Sequence, residues 1–386
     1  MPLIDLTLIV LFWLSVLMIG YHHFGYPLLL KVVTKRAQPR TKRPLTPQDP
    51  YPSITLIVPA YNEQQWIAEK IRNCAMLAYP RHRLHIQIHC DGCSDDTAEV
   101  ARQSIQEMIC ADTFIEVIEH EKNRGKVAIL NPAMQNVTSD ITVFTDTSAL
   151  ISFDALMIAR EHFANPKVGV VNGKYMLFEA ATEGEEVYWQ YQNQLKKAEA
   201  NLATTIGSHG ALYMIRTPLF TPLVPNTIND DFVLPMKIVE QGYLSVYDAD
   251  VISTELEASP GHIDFARRIR ISAGNMQQVL LLFRLFNPKF KRIAFAFASG
   301  KGLRVLIPYL LLSMLLSSLL LCEHPFYLLL FVAQLSLYLF TAMSYKKKVR
   351  FRPLQWLNYL VIGHTANLIG GLSYVLHRTS KPKVLL

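Results

Sequence analysis

Two signatures that would place a nucleotide are missing from the sequence: it has no GxxxxGK[ST] and no GxGxxG. P-loop and dinucleotide-binding folds therefore lack support. Cysteine is sparse. Its five copies, Cys74, Cys90, Cys93, Cys110 and Cys322, include one CxxC with no second pair to complete a zinc site. Four of them fall in the polar middle of the chain, where reduced thiols are expected. Internal repeats and low-complexity tracts are absent. Acids are missing after the first apolar run, where Lys31, Lys35, Arg36, Arg40, Lys42 and Arg43 follow without a carboxylate among them, and no positive charge precedes that run. A cleaved signal peptide is thereby disfavoured, and a retained anchor with its C-terminal side in the cytoplasm is expected.

What is present is hydrophobic at both ends. Of 386 residues 51% are hydrophobic. The excess lies in 6–21, 305–321, 325–342 and 356–376, each near the length that crosses a bilayer core. The basic loop Lys346, Lys347, Lys348, Arg350, Arg352 falls on the same side as the first basic cluster if two crossings follow the polar middle. A fourth crossing would put Arg378, Lys381 and Lys383 outside, so the last segment either re-enters or breaks a statistical rule. The net charge of +7 is mostly juxtamembrane, which suits anionic lipid and not nucleic acid.

Between the apolar ends, strand and helix patterns alternate. SITLIVPAYNE reads as a strand entering a loop, and a helix with Ile67, Ile71, Cys74 and Ala78 on one face follows. LHIQIHC alternates as a second strand, and CDGCSDDT turns it into a helix capped by Ser94, Asp95 or Asp96. FIEVIE, a loop NRGK, a short helix and the strand ITVF come next. Such alternation predicts a doubly wound, mostly parallel α/β sheet, with its ligand beyond the C-terminal strand ends. Glu63, Asp91, Lys126 and Asp146 all fall there and should converge. Taken alone, Asp146 reads equally as a turn or N-cap acid. Three acids and a lysine at one edge suit a nucleotide whose phosphates share a divalent cation, with Asp146 as a hard oxygen ligand.

These motifs, in this order, resemble the family 2 glycosyltransferases, specifically the membrane-embedded inverting enzymes that include polysaccharide synthases. VPAYNE (58–63) is similar to their opening nucleotide loop, CDGCSDD (90–96) to DDGSxD, and NRGKVAILN (123–131) to NxGKxxALN. FTDTSA stands where they carry DxD, NDDFVLPMKIVEQGY (229–243) resembles TEDxxLxxRxxxxGY, and ARRIRI (266–271) resembles Q(Q/R)xRW. The resemblance implies a GT-A fold in a cytoplasmic domain at 51–260. A transmembrane helix (1–30) and a basic linker (31–50) would precede it. An interfacial amphipathic segment with the RRxR motif (261–302) and about three membrane segments (303–386) would follow. It implies that Ala60, Glu63 and Asp91 hold uridine, that Lys126 lies near the nucleotide, and that Arg268 and Arg270 face the diphosphate. Asp146, with Ser148 at the second DxD position, would bind Mg2+ or Mn2+. Asp231 would be the general base, with Asp230 beside it, and GSHGALYMIR, through Gly207, His209 and Gly210, would shape the acceptor site.

The implied activity is transfer of a sugar from a UDP-sugar, with inversion, to a lipid-linked or growing glycan. Its setting would be the inner face of the cell membrane, with other polysaccharide-assembly proteins as further partners. A non-catalytic nucleotide-sugar-binding subunit of an export complex is the alternative from another class, and the intact Asp91, Asp146, Asp231 set argues against it. A fully processive synthase is the alternative within the enzyme class. Ile271, where the signature has Trp, removes the aromatic surface that processive synthases offer the acceptor sugar. On residue chemistry alone, the two acids at 230 and 231 can also be an N-cap pair, ARRIR can face headgroups, and His209 can be a loop residue. The segment EEVYWQYQNQLKKAEANLA reads as a helix on the domain surface or on the membrane.

The charge pattern yields a topology test. On a background without native cysteines, Ser53→Cys and Lys347→Cys should resist membrane-impermeant thiol reagents in intact cells. Ready labelling of Ser53→Cys from outside would overturn the cytoplasmic assignment.

Overall fold

A computed structural model describes residues 3–35, 42, 45–46, 49–180, 183–257, 265–344 and 352–376. Arg36, Arg40, Arg43, Lys346, Lys347, Lys348, Arg350, Arg378, Lys381 and Lys383 lie outside them. The chain forms two units, Thr34–Ser259 and Met1–Val33 with Pro260–Leu386, described in turn.

The first unit is built on one eight-stranded sheet. Its strands are β1 (Ile54–Ala60), β2 (Leu84–Asp91), β3 (Phe114–His120), β4 (Ile141–Phe144), β5 (Ala149–Ile151), β6 (Val168–Leu177), β7 (Tyr213–Arg216) and β8 (Leu244–Glu255). The spatial order is β3-β2-β1-β4-β7-β6-β8-β5. Strands β3, β2, β1 and β4 are mutually parallel. Beyond β4 the sheet becomes mixed: β7 runs antiparallel to both β4 and β6, β6 and β8 are parallel, and β5 closes the edge antiparallel to β8.

Helices α1 (Ile67–Met76), α2 (Thr97–Ser104), α3 (Lys126–Asn136), α4 (Ala155–Phe163), α5 (Glu183–Leu202) and α6 (Asp230–Glu240) connect the strands. Helix α1 buries Ile67, Ile71, Cys74 and Ala75, as its apolar period requires. Those side chains join Leu56, Val58, Ile86, Ile88, Val143, Leu212 and Met214 in the main core. β1 and β4 are almost wholly buried, which explains why they read as continuous apolar runs and not as alternations. At the start of α2, Asp96 occupies the cap position without capping; the Asp95 carboxylate instead accepts hydrogen bonds from the Thr97 N–H and hydroxyl. Because β1, β2 and β4 are parallel, their C-terminal ends meet at one edge.

The second unit is helical. Among the described residues, four helices are long and apolar enough to cross a membrane: Leu3–Thr34, Arg292–Leu320, Pro325–Ser344 and Leu357–Leu376. The second of them begins at Arg292. Its first turns, RIAFAF, are themselves apolar and continue without a break through a π-helical turn at Ala298–Gly302. The RRxR motif lies on a separate helix, Phe265–Leu281. Asn358 is buried between the Thr341 and Ser344 hydroxyls at 3.0 and 2.9 Å, so its amide is satisfied inside the helical bundle.

Candidate active site

The loop after β4 carries Asp146 and is held from beneath. The Lys70 ammonium, fully buried on α1, donates to the Thr145 hydroxyl at 2.6 Å and to the Ala149 carbonyl. Thr145 in turn donates to the Ala211 carbonyl at 2.7 Å, and Thr147 to the Pro59 carbonyl at 3.1 Å. With the polar groups on both sides committed, the Asp146 carboxylate projects from the strand end, its side chain 38% accessible. Lys126, the first residue of α3, meets it at 2.8 Å and reaches the buried Asp230 carboxylate at 3.6 Å. Burial disfavours charge on Lys126 and on Asp146, but their mutual attraction outweighs it. Lys126 is held above the usual lysine range, and Asp146 below the usual carboxylate range.

Lys126 is aimed by Asp91. This carboxylate, buried at the end of β2, accepts the backbone N–H of Arg124 at 3.0 Å and that of Gly125 at 2.8 Å. The clasp shapes the turn that opens α3, where Gly125 adopts φ +85. Asp91 is thus anchored to the NRGK loop, and its two oxygens are engaged by protein. Ala60 closes β1 beside Cys90, and the Cys93 thiol rests 3.6 Å from the Ala60 carbonyl. Glu63 lies three residues on, its N–H donating to the Thr97 hydroxyl at 2.7 Å. Burial, followed by the charges of Glu257, Asp146 and Glu255, pushes its carboxyl up to about 7.

The opposite wall is the GSHG loop. Its Gly210 lies against the ion pair: a Cβ there would sit 2.9 Å from Asp146 Oδ2. Gly207 has φ +77, and a Cβ there would fall 2.1 Å from the Phe232 ring. Ser208 N–H donates to the Asp231 carbonyl at 3.0 Å, joining the loop to α6. Asp230 and Asp231 open that helix, and Asn229 is the cap residue. The two carboxylates differ. Asp230 is buried and receives the Tyr213 hydroxyl at 3.3 Å. Asp231 is half-buried; burial and then the neighbouring Asp230 push its carboxyl up to about 6, against Lys126 and Lys196. His209 accepts from the Ala211 N–H at 3.1 Å and stacks on Tyr175 at 3.8 Å between ring centroids.

Glu63, Asp91, Lys126, Asp146, Gly207, His209, Gly210, Asp230 and Asp231 thus converge at one end of the sheet. Arg268 and Arg270 belong to the other unit, on Phe265–Leu281, where the Arg268 guanidinium lies 4.3 Å from the Tyr359 ring centre.

The donor set suits a hard divalent cation only in part. Among the described residues no three His, Cys, Asp or Glu side chains group tightly enough to hold a metal unaided. Asp146 offers an accessible carboxylate oxygen that already faces a cation, the Lys126 ammonium. Ser148 is buried and its hydroxyl bonds to the Glu255 carboxylate, so it offers little. One protein carboxylate fits Mg2+ or Mn2+ when phosphate and water oxygens fill the remaining positions.

The first unit is thus a mixed α/β sheet of GT-A type with acids and a lysine gathered at its strand ends. The chain belongs to the family described as Glycosyltransferase like family 2, whose model matches residues 52–271. It is 31% identical to the poly-beta-1,6-N-acetyl-D-glucosamine synthase of Staphylococcus aureus (strain COL) over 133 residues, 34% of this chain and 31% of that protein. It is 25% identical to the probable glycosyltransferase YdaM of Bacillus subtilis (strain 168) over 258 residues, 63% of this chain and 60% of that protein. The chain therefore spans less than two thirds of either relative. Among solved structures, the mannosyltransferase PcManGT from Pyrobaculum calidifontis, in complex with GDP-Man and Mn2+, has a TM-score of 0.71 at 24% identity. The match covers 95% of this chain and 99% of that one, and it shows the fold.

Sequence reasoning missed Lys70, Lys196, Tyr213 and Glu255. Lys70 left a signal: it falls on the same stripe as Ile67, Ile71 and Cys74, and a lysine on an apolar face must find oxygens. Tyr213 and Glu255 reach the site through the pairing of β6, β7 and β8, and Lys196 through helix α5 packed on β6, which no local pattern announces.

Gly207→Ala is expected to destabilise the domain by at least about 2 kcal/mol, because positive φ and a ring clash add. Denaturant unfolding would measure the loss, and a change within error would mean that the loop can move away from Phe232.

Proposed function

We propose that the protein is a membrane-bound inverting glycosyltransferase that moves a sugar from a UDP-sugar to a lipid-linked or growing glycan at the cytoplasmic face of the cell membrane. The observation that carries this reading is the single bridge of Lys126 to Asp146 on one side and Asp230 on the other. It ties a cation-facing acid at the donor end to the paired acids that open α6.

The nucleotide would lie over the ends of β1, β2 and β4, bounded by Ala60, Glu63 and the loop that Asp91 clasps. Asp146 would hold Mg2+ or Mn2+, which when bound offsets the diphosphate's charge as the glycosidic bond breaks. Lys126 would turn from Asp146 toward the leaving phosphate, a charge-assisted contact that strengthens as that charge develops. Asp231 would accept the proton of the acceptor hydroxyl as its oxygen attacks the anomeric carbon. The bond to the phosphate oxygen breaks on the opposite face, so the configuration inverts. Asp230, bonded to Tyr213 and near Lys126, would orient the pair without taking that proton. The division of roles supports Asp231 as base: it is the more exposed acid, and its carboxyl sits near neutrality, where a base works best.

Two outcomes test this. Asp231→Asn should keep nucleotide affinity by calorimetry but lose transfer by roughly a hundredfold or more, the usual contribution of a positioned base, while Asp230→Asn retains more activity. Donors to be tried include GDP-mannose, favoured by the ligand of the Pyrobaculum enzyme, beside UDP-sugars. Turnover with GDP-mannose alone would displace the UDP assignment, and unaltered transfer in both Asn variants would end the mechanism.

The second outcome concerns pH. A base must be ionised, so kcat/KM should fall as pH drops through about 6, the position of the Asp231 carboxyl. A profile flat from pH 5 to 8 would exclude Asp231, since roughly one proton must be lost for activity.

A further inference from the structure

Helix α5 reads in the sequence as a solvent or membrane surface, yet one of its stripes faces the site. Trp189, Asn193 and Lys196 follow an i, i+4, i+7 spacing and share a face. Asn193 fixes that face on β6, donating to the Tyr175 carbonyl at 2.8 Å and accepting the Tyr175 N–H at 3.3 Å. On one side of Asn193, the Trp189 ring centre lies 4.4 Å from Tyr175 and 5.0 Å from His209. On the other, the Lys196 ammonium approaches the Gly207 carbonyl at 3.5 Å. Tyr175 is buried and backs the cluster, whereas Trp189 is only half-buried.

The GSHG loop therefore has two faces. Gly210 touches the Asp146 and Lys126 side, while His209 turns its ring to Tyr175 and Trp189. Between them the Ser208 hydroxyl is buried and has no hydrogen-bond partner among the described residues, a state that calls for an explanation. Its N–H marks where Asp231 begins its helical turn. Lys196, whose nearest opposite charges are Asp231 and Glu199, is drawn down to about 8 by burial.

We infer that this stripe of α5 is the wall of the acceptor subsite. Trp189, with His209, presents an aromatic surface to the terminal pyranose of a carbohydrate acceptor, and Lys196 donates to a hydroxyl at its rim. This rests on the transferase reading above. A pyranose has an apolar C–H face and a polar edge, and an aromatic plane beside one cation and a few oxygens matches both.

The test is calorimetric binding of glucose, mannose and N-acetylglucosamine tetrasaccharides to the detergent-solubilised full chain, saturated with nucleoside diphosphate and Mg2+. At least one should bind the wild type. Trp189→Ala should weaken that binding by roughly tenfold, the upper range for one aromatic contact, with nucleotide affinity unchanged. Trp189→Phe should restore most of it, and Lys196→Met should weaken it too. The inference is overturned if no tetrasaccharide binds the wild type or if Trp189→Ala binds as well as the wild type. Loss of nucleotide affinity together with sugar affinity in Trp189→Ala would also overturn it, because that marks a structural role. Wild-type protein that binds a tetrasaccharide through Trp189 yet turns over no donor would sink the transferase reading and leave the wall standing.

Discussion

The ion pair of Lys126 with Asp146 is the contact on which the site depends. Each partner comes from a different loop, and each loop has its own anchor: Asp91 clasps the turn before α3, and Lys70 fixes the turn after β4. A salt bridge between exposed, floppy side chains contributes little. This one joins two positioned groups in a recess, where the charges hold each other ionised against burial. Gly210 is its steric counterpart, because any side chain there would press on the Asp146 carboxylate.

The same recess sorts its acids by surroundings. Asp146 has a lysine at contact distance and stays low; Glu63 has burial and like charges, and rises to near neutrality. Asp231 lies between two lysines and two acids, and burial decides the balance. Three carboxylates of one chemical type thus have three different proton affinities, set by what packs against them. With Asp230, Asp231, Glu63 and Glu255 gathered near Asp146, the site carries more negative than positive charge. An anion entering here approaches a field of its own sign unless cations accompany it.

Much of the half built by β1, β2 and β4 was legible because its signals are local. An apolar run followed by a loop acid marks a strand end, and β1, β2 and β4 each show it. The half built by β5 to β8 and α5 was less so: GSHG and the paired acids stood out as motifs, but the elements that hold them did not, for physical reasons. β5 has three residues, too few for a period, and β7 has four. Helix α5 mixes aromatics with charges on every turn, a pattern that surface, membrane and site helices share, so only its packing on β6 distinguishes them.

The seam between β4 and β7 has a mechanical consequence. Phe144 pairs with Tyr213 and Ile141 with Arg216 in one unbroken antiparallel ladder, braced by Thr142 and Thr217 hydroxyls 2.9 Å apart. The strand that ends at Asp146 and the strand that leaves the GSHG loop are therefore neighbours in the same sheet. Two lobes that meet across a hinge can open and shut like a clamshell, but two halves of one hydrogen-bonded sheet cannot part without tearing it. Entry and exit at this site must be worked by the loops at the rim while the floor stays rigid.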